Sequence, residues 1–242
     1  MSIRNFSCYF CPVFFLFKSI HIYVIVTSAL KLSEIHNYSS YILTCWYNPF
    51  MNISSTDALI ILDVQNDFCP GGTMPVLNGE LVAARLTLVA KKFIQKKAFV
   101  FATQEWHPKG HSSFLSANGQ WPDHCIQFTS GADFHESLQL PMESNIVRKG
   151  SNKDIDAYSG FVDSQLRELL LEKKIARLFI GGIATDTCVL NTVIDAINFG
   201  YSTHVLTDAV AAYDVEPGDG DRALHLMHFN DAELIRSDDL SN

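Results

Sequence analysis

The sequence lacks an apolar stretch suited to crossing a membrane at its N-terminus. The two apolar runs there, Asn5–Phe17 and Ser19–Leu30, flank Lys18, and each falls short of the ~18 residues that a span needs. Joined, they make a poor anchor, because one Lys near the middle costs roughly 2.5–3.5 kcal/mol. No small-residue cleavage site follows that would mark a signal peptide. Basic charge is scarce as well. The 18 Lys and Arg against 26 Asp and Glu leave a net charge of −8, which argues against a nucleic-acid partner, since phosphates reward a basic face. Cysteine is sparse: Cys8, Cys11, Cys45, Cys69, Cys125 and Cys188 show no disulfide-framework spacing, and a chain of this length does not need one. A reducing compartment, the cytoplasm, is the expectation. Cys8 and Cys11 have the spacing of a redox or metal pair, but no second pair or paired histidines accompany them, so coincidence is the simpler account.

What is present points to one large folded domain. The 242 residues are 48% hydrophobic and 18% charged, a globular balance with enough chain for a sizeable core. Composition changes near Met51. Residues 1–56 are crowded with Phe, Tyr, Ile and Cys and carry Arg4, Lys18 and Lys31 against Glu34, so the acidic excess belongs to residues 57–242. The first segment is read as an N-terminal extension of unknown role. One account is that it is not part of the native product. Residues 57–242 are read as the folded domain.

From Asp57 the pattern becomes regular. Ala58–Leu62, Ala98–Ala102, Asn145–Val147, Arg177–Ile180, Thr203–Leu206 and Glu233–Ile235 are predicted strands. Glu80–Lys97, Phe161–Lys174, Asp186–Phe199 and Gly220–Phe229 are predicted helices, the third ended by Gly200. Short continuous apolar strands alternating with helices predict an α/β fold with a doubly wound, mostly parallel sheet and helices on both faces.

In open sheets of this kind, ligands sit outside the carboxyl ends of the strands. Asp63, Glu105 with His107, Lys149 and Cys188 follow four different strands and converge on that edge. Cys188 lies in a glycine-bearing turn before a helix, whose free N–H groups favour a thiolate and can hold an oxyanion. A buried structural cysteine is the plainer alternative. Asp63 ends an apolar strand, where desolvation raises a carboxylate toward a working acid/base; it could equally cap loop N–H groups. Lys149 could keep Asp63 ionised, or be an ordinary surface lysine. Glu105 and His107, two apart in an extended segment, point to one side. With His124 from a later loop they offer oxygen and imidazole ligands to zinc, iron or manganese. His111 and Cys125 read as a loop residue and a core residue.

Taken together, Asp63-Val-Gln-Asn-Asp-Phe68, Trp106-His-Pro108, Trp121-Pro-Asp-His124-Cys, Arg148-Lys-Gly150, Asp156-Ala-Tyr-Ser-Gly-Phe161 and Gly182-Ile-Ala-Thr-Asp-Thr-Cys188 resemble the nicotinamidase and isochorismatase-like cysteine hydrolases, in order and spacing. The resemblance spans about residues 57–236. It implies the isochorismatase-like hydrolase fold and a triad of Asp63, Lys149 and Cys188. It also implies an oxyanion hole from the N–H groups of Ala184 and Cys188, with a cis peptide before Ala184. One divalent ion, zinc foremost with iron or manganese as alternatives, would be held by Glu105, His107 and His124. Phe68, Trp121 and Tyr158 would line a ring pocket. The implied reaction is hydrolysis of nicotinamide to nicotinate and ammonia through a cysteine thioester, in NAD salvage. Another small amide of the same superfamily, or a non-catalytic binding role, is the alternative. The implied partner is a small molecule, with no membrane or nucleic acid, and a homo-oligomer is left open. The family usually has Asp where Glu105 stands, and often an aromatic or other residue where Thr187 stands.

Overall fold

The computed structural model describes residues 51–241. The two N-terminal apolar runs and Cys8, Cys11 and Cys45 lie outside the described residues. The apolar runs become a six-stranded sheet: β1 (Asp57–Leu62), β2 (Phe99–Glu105), β3 (Asn145–Lys149), β4 (Arg177–Ile183), β5 (Ser202–Ala211) and β6 (Glu233–Ile235). The strand order is β3-β2-β1-β4-β5-β6, and every neighbouring pair is parallel.

The unbroken apolar character of β1 follows from cover on both faces. Leu59 and Ile61 face α1 (Gly79–Gln95) and pack with its Val82, Leu86 and Phe93. Ala58, Ile60 and Leu62 face the opposite layer. They pack there with Leu166 and Leu170 of α2 (Leu166–Glu172), Val193 of α3 (Leu190–Asn198) and Met227 of α4 (Asp219–Phe229). Each buried Leu, Ile, Val, Phe or Met among them contributes roughly 1.5–3 kcal/mol by leaving water, so the alternation along one strand binds two helix layers at once. The doubly wound arrangement read from the sequence is the one observed.

The chain is engaged before Asp57. Met51 donates its N–H to the Asp239 carbonyl at 2.6 Å and accepts from Ser241 N at 3.0 Å, and Ile53 is buried in the α1 layer. At the amino ends of the central strands, Asp57 pairs with Arg177, Nε to Oδ1 at 3.0 Å. No helix among the described residues is long and apolar enough to cross a membrane.

Three elements differ from their sequence reading. The predicted helix from Phe161 begins only at Leu166. Asp163 adopts φ +47° and accepts the Asn152 N–H at 2.7 Å, which ties this stretch to a loop. The helix read from Asp186 opens as a π-turn, Thr185–Val189, because Ala184 O accepts from Val189 N at 3.0 Å. β5 runs five residues past Leu206, through a register shift against β4 between Ile180 and Gly182. Thr207 and Asp208 hide that continuation in the sequence, since they break the apolar run. Their side chains bond instead to Ile235 O and to Ser237.

Candidate active site

The chain builds β1, β2 and β3 outward on one side, then returns to lay β4 on the other side of β1. That reversal opens a crevice at the carboxyl ends of β1 and β4, and the sequence-predicted residues meet there. Asp63 is the first residue past β1, at φ +51° and fully buried. Thr103 of β2 fixes it, donating Oγ1 to Oδ1 at 2.7 Å while accepting the Asp63 N–H at 3.2 Å. Lys149, the last residue of β3, is fully buried and therefore not a surface lysine. Its Nζ lies 2.9 Å from Asp63 Oδ2, in ion-pair contact. It donates to Glu105 Oε1 at 2.8 Å, to Ala157 O at 2.8 Å and to Cys188 Sγ at 3.6 Å. The Cys188 thiol also reaches Glu105 Oε1 at 3.6 Å.

A buried ammonium needs counter-charges. Burial alone would lower the Lys149 pKa, but Asp63, Cys188 and Glu105 overcome it and hold it well above its ordinary value. Burial raises Asp63, Lys149 pulls it back and Glu105 pushes it up again, leaving it above the usual carboxylate range. Cys188 reverses its sequence expectation. Burial pushes the thiol well up, Lys149 opposes this, and Asp63 and Glu105 reinforce it. A partial charge at a helix start is too small to offset full burial beside two carboxylates. These surroundings favour the protonated thiol.

The second half of the site is shared through Glu105. Its Oε2 lies 3.1 Å from both His107 Nε2 and His124 Nε2. Burial would raise this carboxyl, but Lys149 and the two imidazoles hold it well below its ordinary value. Glu105, His107 and His124 place one donor atom each within 4.8 Å of one another, all buried. The outer ring nitrogens are engaged with carbonyls, His107 Nδ1 with Gly150 O at 3.0 Å and His124 Nδ1 with Pro122 O at 2.7 Å. When Nδ1 rather than Nε2 carries the proton, each ring instead turns its Nε2 lone pair toward Glu105. Two such lone pairs facing one carboxylate fit a cation between them, so the donor set suits a divalent metal. Gly150 is required there: at φ +67°, a Cβ would stand 2.5 Å from the His107 ring. His111 is buried but stands behind His107, bonding Ser113 Oγ at 2.8 Å and the carbonyls of Asn152 and Ile155.

Above Cys188 lies a cavity of about 50 Å³, partly open to solvent. Phe68, Trp121 and Tyr158 line it together with Glu105, His107, His124, Ala184 and Cys188. Trp121 Nε1 donates to Tyr158 Oη at 2.7 Å, joining two walls. The Ile183–Ala184 peptide is cis, as the resemblance implied. Sequence reasoning missed Met74, Val76, Thr187 and Tyr213 in the lining. Met74 and Val76 carried a signal, being apolar residues in a Gly- and Pro-rich loop. Tyr213 carried none until the true end of β5 was known. Also missed was Gln65, whose side chain donates to Glu105 O and accepts from Glu105 N, each at 2.8 Å, pinning that residue's backbone.

A crossover α/β sheet with Cys188, Lys149 and Asp63 buried together at its switch point is a hydrolase architecture. The chain belongs to the isochorismatase family, whose domain model matches residues 57–239. It is 33% identical over 198 residues to the nicotinamidase of Escherichia coli strain K12, covering 73% of this chain and 93% of that protein. Among solved structures, the pyrazinamidase of Pyrococcus horikoshii in complex with zinc is similar with a TM-score of 0.72 and 38% identity, covering 75% of this chain and 99% of that one. PnC1 from L. infantum, in complex with nicotinate, is similar with a TM-score of 0.74 and 34% identity, covering 79% and 98%.

Proposed function

We propose that this chain hydrolyses nicotinamide to nicotinate and ammonia, with Cys188 as nucleophile, in NAD salvage. The observation that carries the reading is the thiol at the floor of an aromatic-walled cavity, 3.6 Å from a buried lysine that is itself paired with Asp63. The nicotinamidase and nicotinate-bound relatives support the substrate.

Asp63 accepts the Cys188 proton. Its raised pKa makes it the better base of the two nearby carboxylates, because Glu105 is held well below the ordinary range. Lys149 keeps the ion cluster in place and stabilises the thiolate as it forms. The thiolate attacks the carboxamide carbon, and the N–H groups of Ala184 and Cys188 receive the oxyanion. Asp63 returns its proton to the departing ammonia. Water, deprotonated by Asp63, then attacks the thioester carbon; the C–S bond breaks to release nicotinate, and Asp63 returns the proton to Cys188. Phe68, Trp121 and Tyr158 hold the flat ring. Glu105, His107 and His124 would hold one divalent ion, zinc foremost with iron or manganese as alternatives; when bound, it supplies an anchor for the pyridine nitrogen, directly or through water.

Ammonia release by the purified full chain supplied with zinc, iron or manganese tests the reading, nicotinamide being the first substrate. Pyrazinamide is the second amide to try, given the neighbour named as a pyrazinamidase. Turnover of nicotinamide is expected. No ammonia from either amide with any of the three metals would overturn the reading.

A further inference from the structure

The cavity over Cys188 has one wall that the chemistry above does not use. Tyr213, two residues past the end of β5, lines it together with Met74, Val76 and Thr187. Its ring meets Trp121 edge-on, with centroids 5.8 Å apart and an interplanar angle of 79°. A tyrosine just beyond a strand end would ordinarily be free to follow its loop into solvent. Here the backbone beneath it is clamped. Asp186, two residues before the nucleophile, accepts the Tyr213 N–H on Oδ1 at 3.0 Å and the Asp214 N–H on Oδ2 at 2.8 Å. Asp214 in turn accepts the Gly220 N–H at 2.8 Å, in the first turn of α4. A Cβ at Gly220 would come within 2.5 Å of the Ala212 methyl, so residues 212–214 are wedged against that helix.

The position of Tyr213 is therefore set by the same turn that carries the thiol. Its aromatic edge stands against the Trp121 wall, on a frame with little room to give. An aromatic substrate lying along Phe68, Trp121 and Tyr158 would share the cavity with the Tyr213 ring, which also lines it. We propose that Tyr213 is a specificity-determining residue. It restricts the cavity to small, unsubstituted single-ring carboxamides, and Asp186 is the positioning residue that locks it to the nucleophile turn. This assignment rests on reading the Cys188 site as an amidase.

The test compares the full chain with Tyr213→Ala, Tyr213→Phe and Asp186→Ala on nicotinamide and ring-methylated nicotinamides. One methyl group in an apolar pocket is worth about 10–200-fold in discrimination. Tyr213→Ala should raise the ratio of kcat/KM for methylated over unsubstituted amide by about 10-fold or more. Tyr213→Phe keeps the ring and should keep the wild-type ratio. Asp186→Ala should move the ratio in the same direction as Tyr213→Ala but less, through KM more than kcat. A second readout needs no turnover: alkylation of Cys188 by iodoacetamide and by the bulkier N-phenylmaleimide, followed by mass spectrometry. Tyr213→Ala should accelerate the bulky reagent selectively. Ammonia release with an unchanged substrate ratio and an unchanged alkylation ratio would overturn the role of Tyr213 and leave the amidase reading intact. A shifted alkylation ratio in a chain that hydrolyses no carboxamide would uphold the size limit and remove the amidase reading.

Discussion

β1 carries an aspartate at its first residue and another just past its last. Asp57 and Asp63 are both buried, yet they do opposite work. Asp57 is met by the Arg177 guanidinium, and Ser54 N donates to it at 2.7 Å. Every charge there has a fixed partner, and Arg177 is partly open to solvent. Asp63 faces a lysine with no solvent access, and that lysine is shared with Glu105 and a thiol. At the amino edge the sheet uses a carboxylate to hold two strands together. At the carboxyl edge it sets one against a lysine that two other groups also contact. Residue type is the same, so the difference lies in how many groups compete for one cation.

The largest expected effect breaks the carboxyl edge outright. Cys188→Ala should lower kcat by at least about 10³-fold with little change in Tm, measured by ammonia release and thermal melting; near-normal turnover would remove the nucleophile assignment. Next, Asp63→Asn should cost about 10²–10⁴-fold in kcat. Asp57→Asn should leave kcat within a few-fold but lower stability by about 1–2 kcal/mol in urea titration, a value discounted for the solvent that reaches Arg177. If the two substitutions had interchangeable effects, the contrast between the edges would be void.

Glu105→Gln should lose bound metal and raise KM for nicotinamide on the order of 10–100-fold, with Glu105→Asp recovering part of both. Full metal content and an unchanged KM in Glu105→Gln would show that the carboxylate is not a ligand. The last comparison concerns the chain ahead of β1, where the cut at Met51 should have the smallest effect of all. A chain beginning at Met51 should match the full chain in turnover and melting. One beginning at Asp57 lacks the buried Ile53 and the Met51 pairing, and should lose about 2–3 kcal/mol. Equal stability of the two shortened chains would show that residues 51–56 contribute nothing to the fold.

The central strands were legible because burial on both faces forces long apolar runs, and β1 and β4 have them. The reactive residues were legible because strand ends in such sheets are where ligands go, and polar residues there stand out from what precedes them. Less visible was anything set by tertiary competition. The strands β2 and β3 continue into Thr103, Gln104, Glu105, Arg148 and Lys149, which a hydrophobic pattern reads as loop. The protonation of Cys188 depends on burial and on two carboxylates from distant segments, and local helix reasoning gave it the wrong direction. Tyr213 belongs to the cavity only because β5 runs past a polar pair whose partners lie near β6.

The strand order has a consequence for how the molecule comes into being. β1 is flanked by β2 and β4, and its Asp57 meets Arg177 across 120 positions of chain. Pairings over such separations are slow to form, because the loop must close before contacts reward it. On the ribosome, β1, β2 and β3 are made before the strand that completes the centre. Until β4 docks, Asp63 and Lys149 lack the turn that carries Cys188. The thiol joins the ion cluster only through that long-range closure, and a partly folded chain contains the ingredients of the site without the site.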